Sequence, residues 1–205
     1  MTVSKQQHQT LLQRIENLHP YETMLYLGMF GSGLIFLFLT VAFLFSSRNL
    51  LAGMNQTVPT AFLVSTFLLV VSGLSATSIR HAYQEENSEK LLGSLRVTVI
   101  LGLLFTILQV VGWFELKAKG IEFTGIPSGS FLYVLSGIHI FHLLGAMIFA
   151  LILYVQLAKK SKDVVDKLIL HTNPFEKMRI RLFTFYWHFM DAIWLILFLL
   201  FVLSF

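Results

Sequence analysis

The sequence predicts an all-α, polytopic membrane helix bundle with five transmembrane helices. Three observations carry this reading. Of the 205 residues, 56% are hydrophobic and only 13% are charged, about half the charged share of a soluble domain. Charge-free apolar runs recur five times along the chain, each long enough to cross roughly 30 Å of hydrocarbon at about 1.5 Å per residue. The Lys and Arg residues divide very unevenly between the two sets of connecting segments.

The first run covers residues 24–46 and the second 58–79. The third, 97–114, is the shortest. Residues 123–158 lack charge throughout, but Pro127 and Gly129 predict a helix that starts near Ser130. The fifth run, 182–205, is broken only by Asp191. Ahead of the first run lies a polar segment, residues 1–23, with Lys5, Arg14 and Glu16. Within it "QTLLQRIENL" has helical spacing and predicts a short helix on the membrane surface. The run that follows is too long for a signal peptide, and no small-residue cleavage site follows it. The division expected is therefore a cytoplasmic segment over 1–23 and one five-helix domain over 24–205.

Orientation follows from the cations. The N-terminus and the second and fourth loops hold twelve Lys and Arg, and the other side holds three: Arg48, Lys117 and Lys119. The rule that positive loops stay inside places the N-terminus in the cytoplasm and the C-terminus outside. It also accounts for the net charge of +4 without a nucleic-acid partner. With no cysteine, disulfides, thiolate metal sites and thiol nucleophiles are excluded. No pair of Gly- or Pro-interrupted half-helices suggests a secondary transporter.

Ionisable residues inside the spans are the informative departures. An aspartate at the centre of a span costs about 2.5–3.5 kcal/mol on insertion scales. The fourth run contains "GIHIFHLLGA", with His139 and His142 three apart and so on one helix face. The fifth contains "FYWHFMDAIW", with His188 and Asp191 three apart. Counted from the run ends, His139 lies roughly 15 Å deep and the second pair roughly 9–14 Å. The simplest reading is that the two pairs meet and hydrogen-bond, fixing how the helices pack. A metal or haem site is the sharper alternative, since three histidines and a carboxylate are good ligands. A proton relay would need carboxylates leading to both surfaces. The other polar residues within the spans, Ser32, Ser72, Gln109 and Ser136, draw no such chain.

Other features have plain readings. Gly28 and Ser32 form a small-residue packing face, as do Gly137, Gly145, Ala146 and Ala150. Trp113, Tyr133, Tyr154 and Tyr186 sit near span ends and read as interface anchors. "NQT" at Asn55 matches a glycosylation acceptor only as a chance tripeptide. The seven cations of the fourth loop also suit anionic lipid headgroups.

The two histidine-bearing motifs together resemble subunit III of the haem–copper terminal oxidases. The family's closing helix matches Tyr186, Trp187, His188, Phe189, Asp191 and Trp194, and its histidine-rich helix matches His139 and His142. "SGLSATSIRHAYQEEN" is similar to the family helix that ends in a histidine, here His81, and "TILQVVGWF" to the next helix, with Gln109 matching. The resemblance runs from about Tyr21 to the C-terminus. It implies a non-catalytic subunit with no metal ligand of its own, haem and copper being held by partner subunits. It implies contact chiefly with oxidase subunit I, and also with subunit II, within a larger respiratory assembly that reduces oxygen and pumps protons. It implies bound phospholipid, for which Arg80, His81, Arg96 and Arg181 are the headgroup candidates, and support of proton uptake by subunit I. The expected location is the bacterial cytoplasmic (inner) membrane. An accessory subunit of a nitric oxide reductase and an independent haem or metal membrane protein are the alternatives. Two family glutamates are replaced here, by Gly33 and Gly112, so no role of those carboxylates carries over. The length matches the short five-helix form rather than the seven-helix one.

Overall fold

The computed structural model describes residues 19–47, 58–125 and 127–204. Among these residues all regular structure is helical: α1 (Pro20–Ser47), α2 (Thr60–Gln84), α3 (Ser88–Ala118), α4 (Pro127–Lys160), α5 (Val164–Thr172) and α6 (Pro174–Ser204). Five of these, all but α5, are long and apolar enough to cross a membrane, as the sequence predicts. The surface helix expected in "QTLLQRIENL", Arg48 and Asn55 lie outside the described residues.

Helix ends depart from the apolar runs for local reasons. α1, α4 and α6 each open on a proline, a residue suited to the first helical position because it lacks an N–H that would go unpaired there. α4 therefore begins at Pro127, ahead of the start expected near Ser130. α3 and α6 extend well beyond their charge-free runs. Hydrocarbon thickness limits the apolar stretch, not the helix.

α2 and α3 form a tight hairpin. Glu86 adopts a left-handed φ of 55°, and the Asn87 N–H reaches back to the Ala82 carbonyl at 3.0 Å, a six-to-one C-terminal motif. Asn87 then caps α3, its side-chain oxygen accepting from the Lys90 N–H at 3.0 Å. Beside this turn Glu85 takes a bond from Lys90 at 2.9 Å, and the bond and the charge together hold its carboxyl below the usual range. At the other end α2 has no side-chain cap of its own. Glu115 of α3 serves instead, accepting from Thr60 Oγ1 at 3.1 Å and the Ala61 N–H at 3.3 Å. α3 closes on Gly120, φ 79°, with the Ile121 N–H on the Leu116 carbonyl at 3.0 Å and the Ile121 side chain buried.

The spans close into a ring. α2 packs on α3 and α6, and α4 packs on α3 and α6. α1 lies outside the ring, against α4 and α6. Leu69, Ala76, Phe105, Leu143, Trp187 and Trp194 are buried within. Phe38, Phe67, Ile100, Phe141, Ile148 and Leu199 are among the large apolar side chains left on the outside. Lipid tails are as apolar as these side chains, so close packing and internal hydrogen bonds must hold the ring together.

α5 is a nine-residue connector inside the cationic fourth loop, an element that the span pattern does not foretell. Asp163 caps it through the Val165 N–H at 3.0 Å. Tyr83 Oη donates to the Leu170 carbonyl at 2.9 Å, and Ser88 Oγ bonds His171 Nε2 at 3.2 Å, which ties α5 to the α2–α3 hairpin.

Candidate functional site

The family-motif residues of α6 meet a row of hydroxyls on α2. The indole N–H of Trp187 donates to Ser72 Oγ at 3.0 Å, and that of Trp194 donates to Thr66 Oγ1 at 2.9 Å. His188 Nε2 lies 3.1 Å from Thr77 Oγ1. From His188 to Trp194 the partners on α2 run back from Thr77 to Thr66, as two antiparallel helices require. Each hydroxyl also donates to its own helix: Thr66 to Phe62 O at 2.7 Å, Ser72 to Leu69 O at 2.9 Å, and Thr77 to Gly73 O at 3.1 Å. With its single proton so used, each keeps its lone pairs free to accept from α6.

Glycines give the motif side chains their seats. A Cβ on Gly73 would stand 2.6 Å from Asp191 Oδ2, and one on Gly102 would stand 2.9 Å from the Trp187 ring. Asp191 is 8% exposed, and its Oδ2 lies 3.5 Å from His188 Nδ1. Because Thr77 donates to Gly73, His188 Nε2 is the donor to Thr77, and Nδ1 turns its other face to the carboxyl group. Asp191 Oδ1 is buried with no hydrogen-bond partner.

The expected meeting of the two polar pairs does not occur. His142 turns to α1: its Nδ1 donates to the Ile138 carbonyl at 2.8 Å, and its Nε2 accepts from Ser32 Oγ at 3.0 Å. His139 is fully buried against the rings of Trp194, Phe105 and Phe36, with centroids 5.1, 5.6 and 6.3 Å away. Neither of its ring nitrogens has a partner. His188 and Asp191 face α2. The pairs do not share a direction: the spacing supplied a depth and a common face for each pair, but not the neighbour that face meets. Among the described residues no group of three or more His, Asp or Glu is placed to hold a metal ion.

The remaining polar residues tie neighbouring helices. Gln109 Nε2 donates to Ser65 Oγ at 2.7 Å, and Trp113 Nε1 donates to Ser136 Oγ at 2.9 Å. Tyr133 donates to the Ile121 carbonyl at 2.7 Å. Tyr186 and Phe189 face α1, Phe189 lying near Gly33. Gly112 gives its space to the neighbouring ring: a Cβ there would stand 2.1 Å from Phe62.

A cleft of about 640 Å³ opens between α1, α4 and α6, lined among others by Tyr21, Gly145, Phe149, Gln156, Arg179 and Tyr186. Glu176, itself 3% exposed, holds Lys160 at 2.7 Å and Arg179 at 3.2 Å. The Arg179 guanidinium lies 5.8 Å from the ring centres of Phe149 and Phe175. The headgroup candidates read from the sequence do not line this cleft. Arg181 pairs with Glu22, Arg96 donates to Tyr154 Oη at 2.7 Å, His81 stands 3.3 Å from Glu85, and Arg80 is exposed on α2. Arg179 was missed because nothing in the loop's composition separates it from six other cations. Its spacing of three from Glu176 is the one available signal.

Comparison with known proteins now adds to this geometry. A sequence model of the family described as "Cytochrome c oxidase subunit III" matches residues 21–204. The cytochrome c oxidase subunit 3 of Spodoptera frugiperda is 32% identical over 139 residues, 67% of this chain and 84% of that protein. The probable cytochrome c oxidase subunit 3 of Rickettsia prowazekii is 29% identical over 135 residues, and that of Homo sapiens 30% over 139. Both alignments cover 66% of this chain, and the chain spans about half of those two relatives, 45% and 47%. The match along nearly the whole described bundle, with the histidine and tryptophan motifs in place, means that the chain belongs to the cytochrome c oxidase subunit III family.

Proposed function

We propose that this chain is the non-catalytic subunit III of a haem–copper oxidase in a bacterial cytoplasmic membrane. It packs beside subunit I, with haem and copper in partner subunits, and the basic ends of its spans face the cytoplasm. The family match over residues 21–204 carries the reading. The motif side chains support it, because they are spent on helix packing: Trp187, Trp194 and His188 each bond a hydroxyl of α2. Support of proton uptake by subunit I is part of the same proposal.

A phospholipid occupies the cleft between α1, α4 and α6. Its acyl chains lie against Leu25, Phe149 and Phe183, and its phosphate meets Arg179 at the basic end. Guanidinium donors suit a phosphate, and Arg179 is already held in place by Glu176.

Purification from native membranes through a tag on this chain tests the proposal. A haem–copper subunit I and a stoichiometric phospholipid should co-purify. Recovery of the chain without any oxidase subunit defeats it.

A further inference from the structure

We propose that the groove at the C-terminal end of α3, between Lys117 and Glu122, holds the headgroup of a zwitterionic phospholipid with a primary amine, of the phosphatidylethanolamine class, its phosphate on Lys117 and its ammonium on Glu122. The groove lies at the end of the bundle away from the basic loops and from the Arg179 cleft, and the assignment needs no partner subunit.

The groove encloses about 310 Å³ between the end of α3, the loop that follows and the start of α4. Its wall is aromatic. Trp113, Tyr133 and Phe123 form a row, with 6.2 Å between the ring centres of the first two and 6.1 Å between those of the last two. The polar atoms of the row are spent within the bundle: Trp113 Nε1 donates to Ser136 Oγ, and Tyr133 Oη donates to the Ile121 carbonyl. These bonds fix the rings and leave their carbon surfaces to the groove. Trp and Tyr rings settle at headgroup depth, which sets the groove at the boundary between membrane and water.

Two side chains of opposite charge line it, Lys117 and Glu122, and both are exposed. Among the described residues no ion pair joins them, and neither takes part in another. The groove is therefore neutral as a whole but dipolar. An anionic headgroup would suit Lys117 and set its phosphate against Glu122. A headgroup with both a phosphate and an ammonium satisfies the two at once. A primary ammonium also brings N–H donors to the carboxylate, which a quaternary amine lacks.

The acyl chain has a path as well. Leu103, Ile107, Val110 and Phe114 recur along one side of α3 at helical spacing and are 51%, 51%, 38% and 68% exposed. The row ends in the groove, where Val110 and Phe114 belong to the lining. A soluble amino-phosphate would use the charges alone, whereas a lipid uses both the charges and the row.

The test uses the full chain, purified with whatever accompanies it and reconstituted into vesicles of phosphatidylethanolamine and phosphatidylglycerol in equal parts with the same acyl chains. A photo-crosslinking p-benzoylphenylalanine replaces Phe114 at the groove or Leu103 farther along the row, and the adducts are identified by mass spectrometry. Position 114 should capture the amine lipid over the glycerol lipid by roughly five-fold, and position 103 should show no preference. Glu122→Gln should abolish the preference at 114, and Lys117→Gln should lower the total lipid captured there. The preference should persist when phosphatidylcholine replaces the glycerol lipid. The same lipid ratio at both positions, or a preference at 114 that survives Glu122→Gln, overturns the proposal. So does capture of a protein rather than lipid at 114. The subunit reading stands or falls separately, by the co-purification described above.

Discussion

The carboxyl group of Asp191 lies directly over Gly73, so close that a methyl group on the glycine would stand 2.6 Å from Oδ2. Overpacking of this kind costs about 1–3 kcal/mol. Gly73→Ala should lower the thermal stability of the detergent-purified protein by an amount in that range. In the Gly73→Ala, Asp191→Ala double variant the cost should fall below the sum of the two singles, because the clash has gone. Strict additivity in a thermal unfolding series would mean that the two residues are not in contact.

Thr66 and Trp194 offer a second cycle. Thr66→Val keeps the shape but leaves a buried indole N–H unpaired, at a cost of about 1–3 kcal/mol. Trp194→Phe should cost more through lost volume, since the indole is fully buried. Adding Thr66→Val to Trp194→Phe should then change little. A midpoint shift from Thr66→Val that persists in full in the phenylalanine background would contradict the bond.

The cleft makes a chemical prediction. Arg179→Gln should reduce the phospholipid retained per oxidase, measured by mass spectrometry after extended detergent washing. Arg96→Gln should leave it unchanged, because Arg96 is engaged with Tyr154 away from the cleft. Equal lipid loss in both variants would point to general surface charge rather than a seat at Arg179.

Glu86 supplies a prediction independent of function. It holds a left-handed φ of 55°, which costs a non-glycine residue roughly 1–2 kcal/mol. Glu86→Gly should therefore raise the thermal midpoint, despite the greater freedom glycine gives the unfolded chain. A lowered midpoint would show that the Glu86 side chain contributes more than its backbone loses.

The spans were legible because hydrocarbon imposes a length and a composition on every crossing helix. α2 and α3 could be placed from their apolar runs alone, though their capping residues, Glu115 and Asn87, could not. The polar pairs were legible as residues and as depths. Their partners were not, because a helix shows which of its residues share a face but not which neighbour that face meets. His142 meets α1 and Asp191 meets α2 only because α2, α3, α4 and α6 close into a ring in that order. The row Thr66, Ser72 and Thr77 was visible in "STFLLVVSGLSAT", yet serine and threonine are inexpensive in a span and carry no warning of a partner. α5 was hidden because its nine residues lie within a loop whose charges dominate the pattern.

The central claim is that the polar residues of this bundle serve assembly rather than chemistry, and Asp191 tests it most directly. Removing one member of a buried pair typically costs about 3–5 kcal/mol, and here that cost falls on the packing of α2 against α6. The measurement is the ratio of this chain to subunit I in oxidase purified with Asp191→Ala, together with oxygen reduction by that oxidase in its first turnover. The account predicts a lowered ratio, a smaller loss for Asp191→Asn, and an unimpaired first turnover in the oxidase that remains. A full ratio with oxygen reduction abolished at the first turnover would contradict it and make Asp191 a proton-transfer residue.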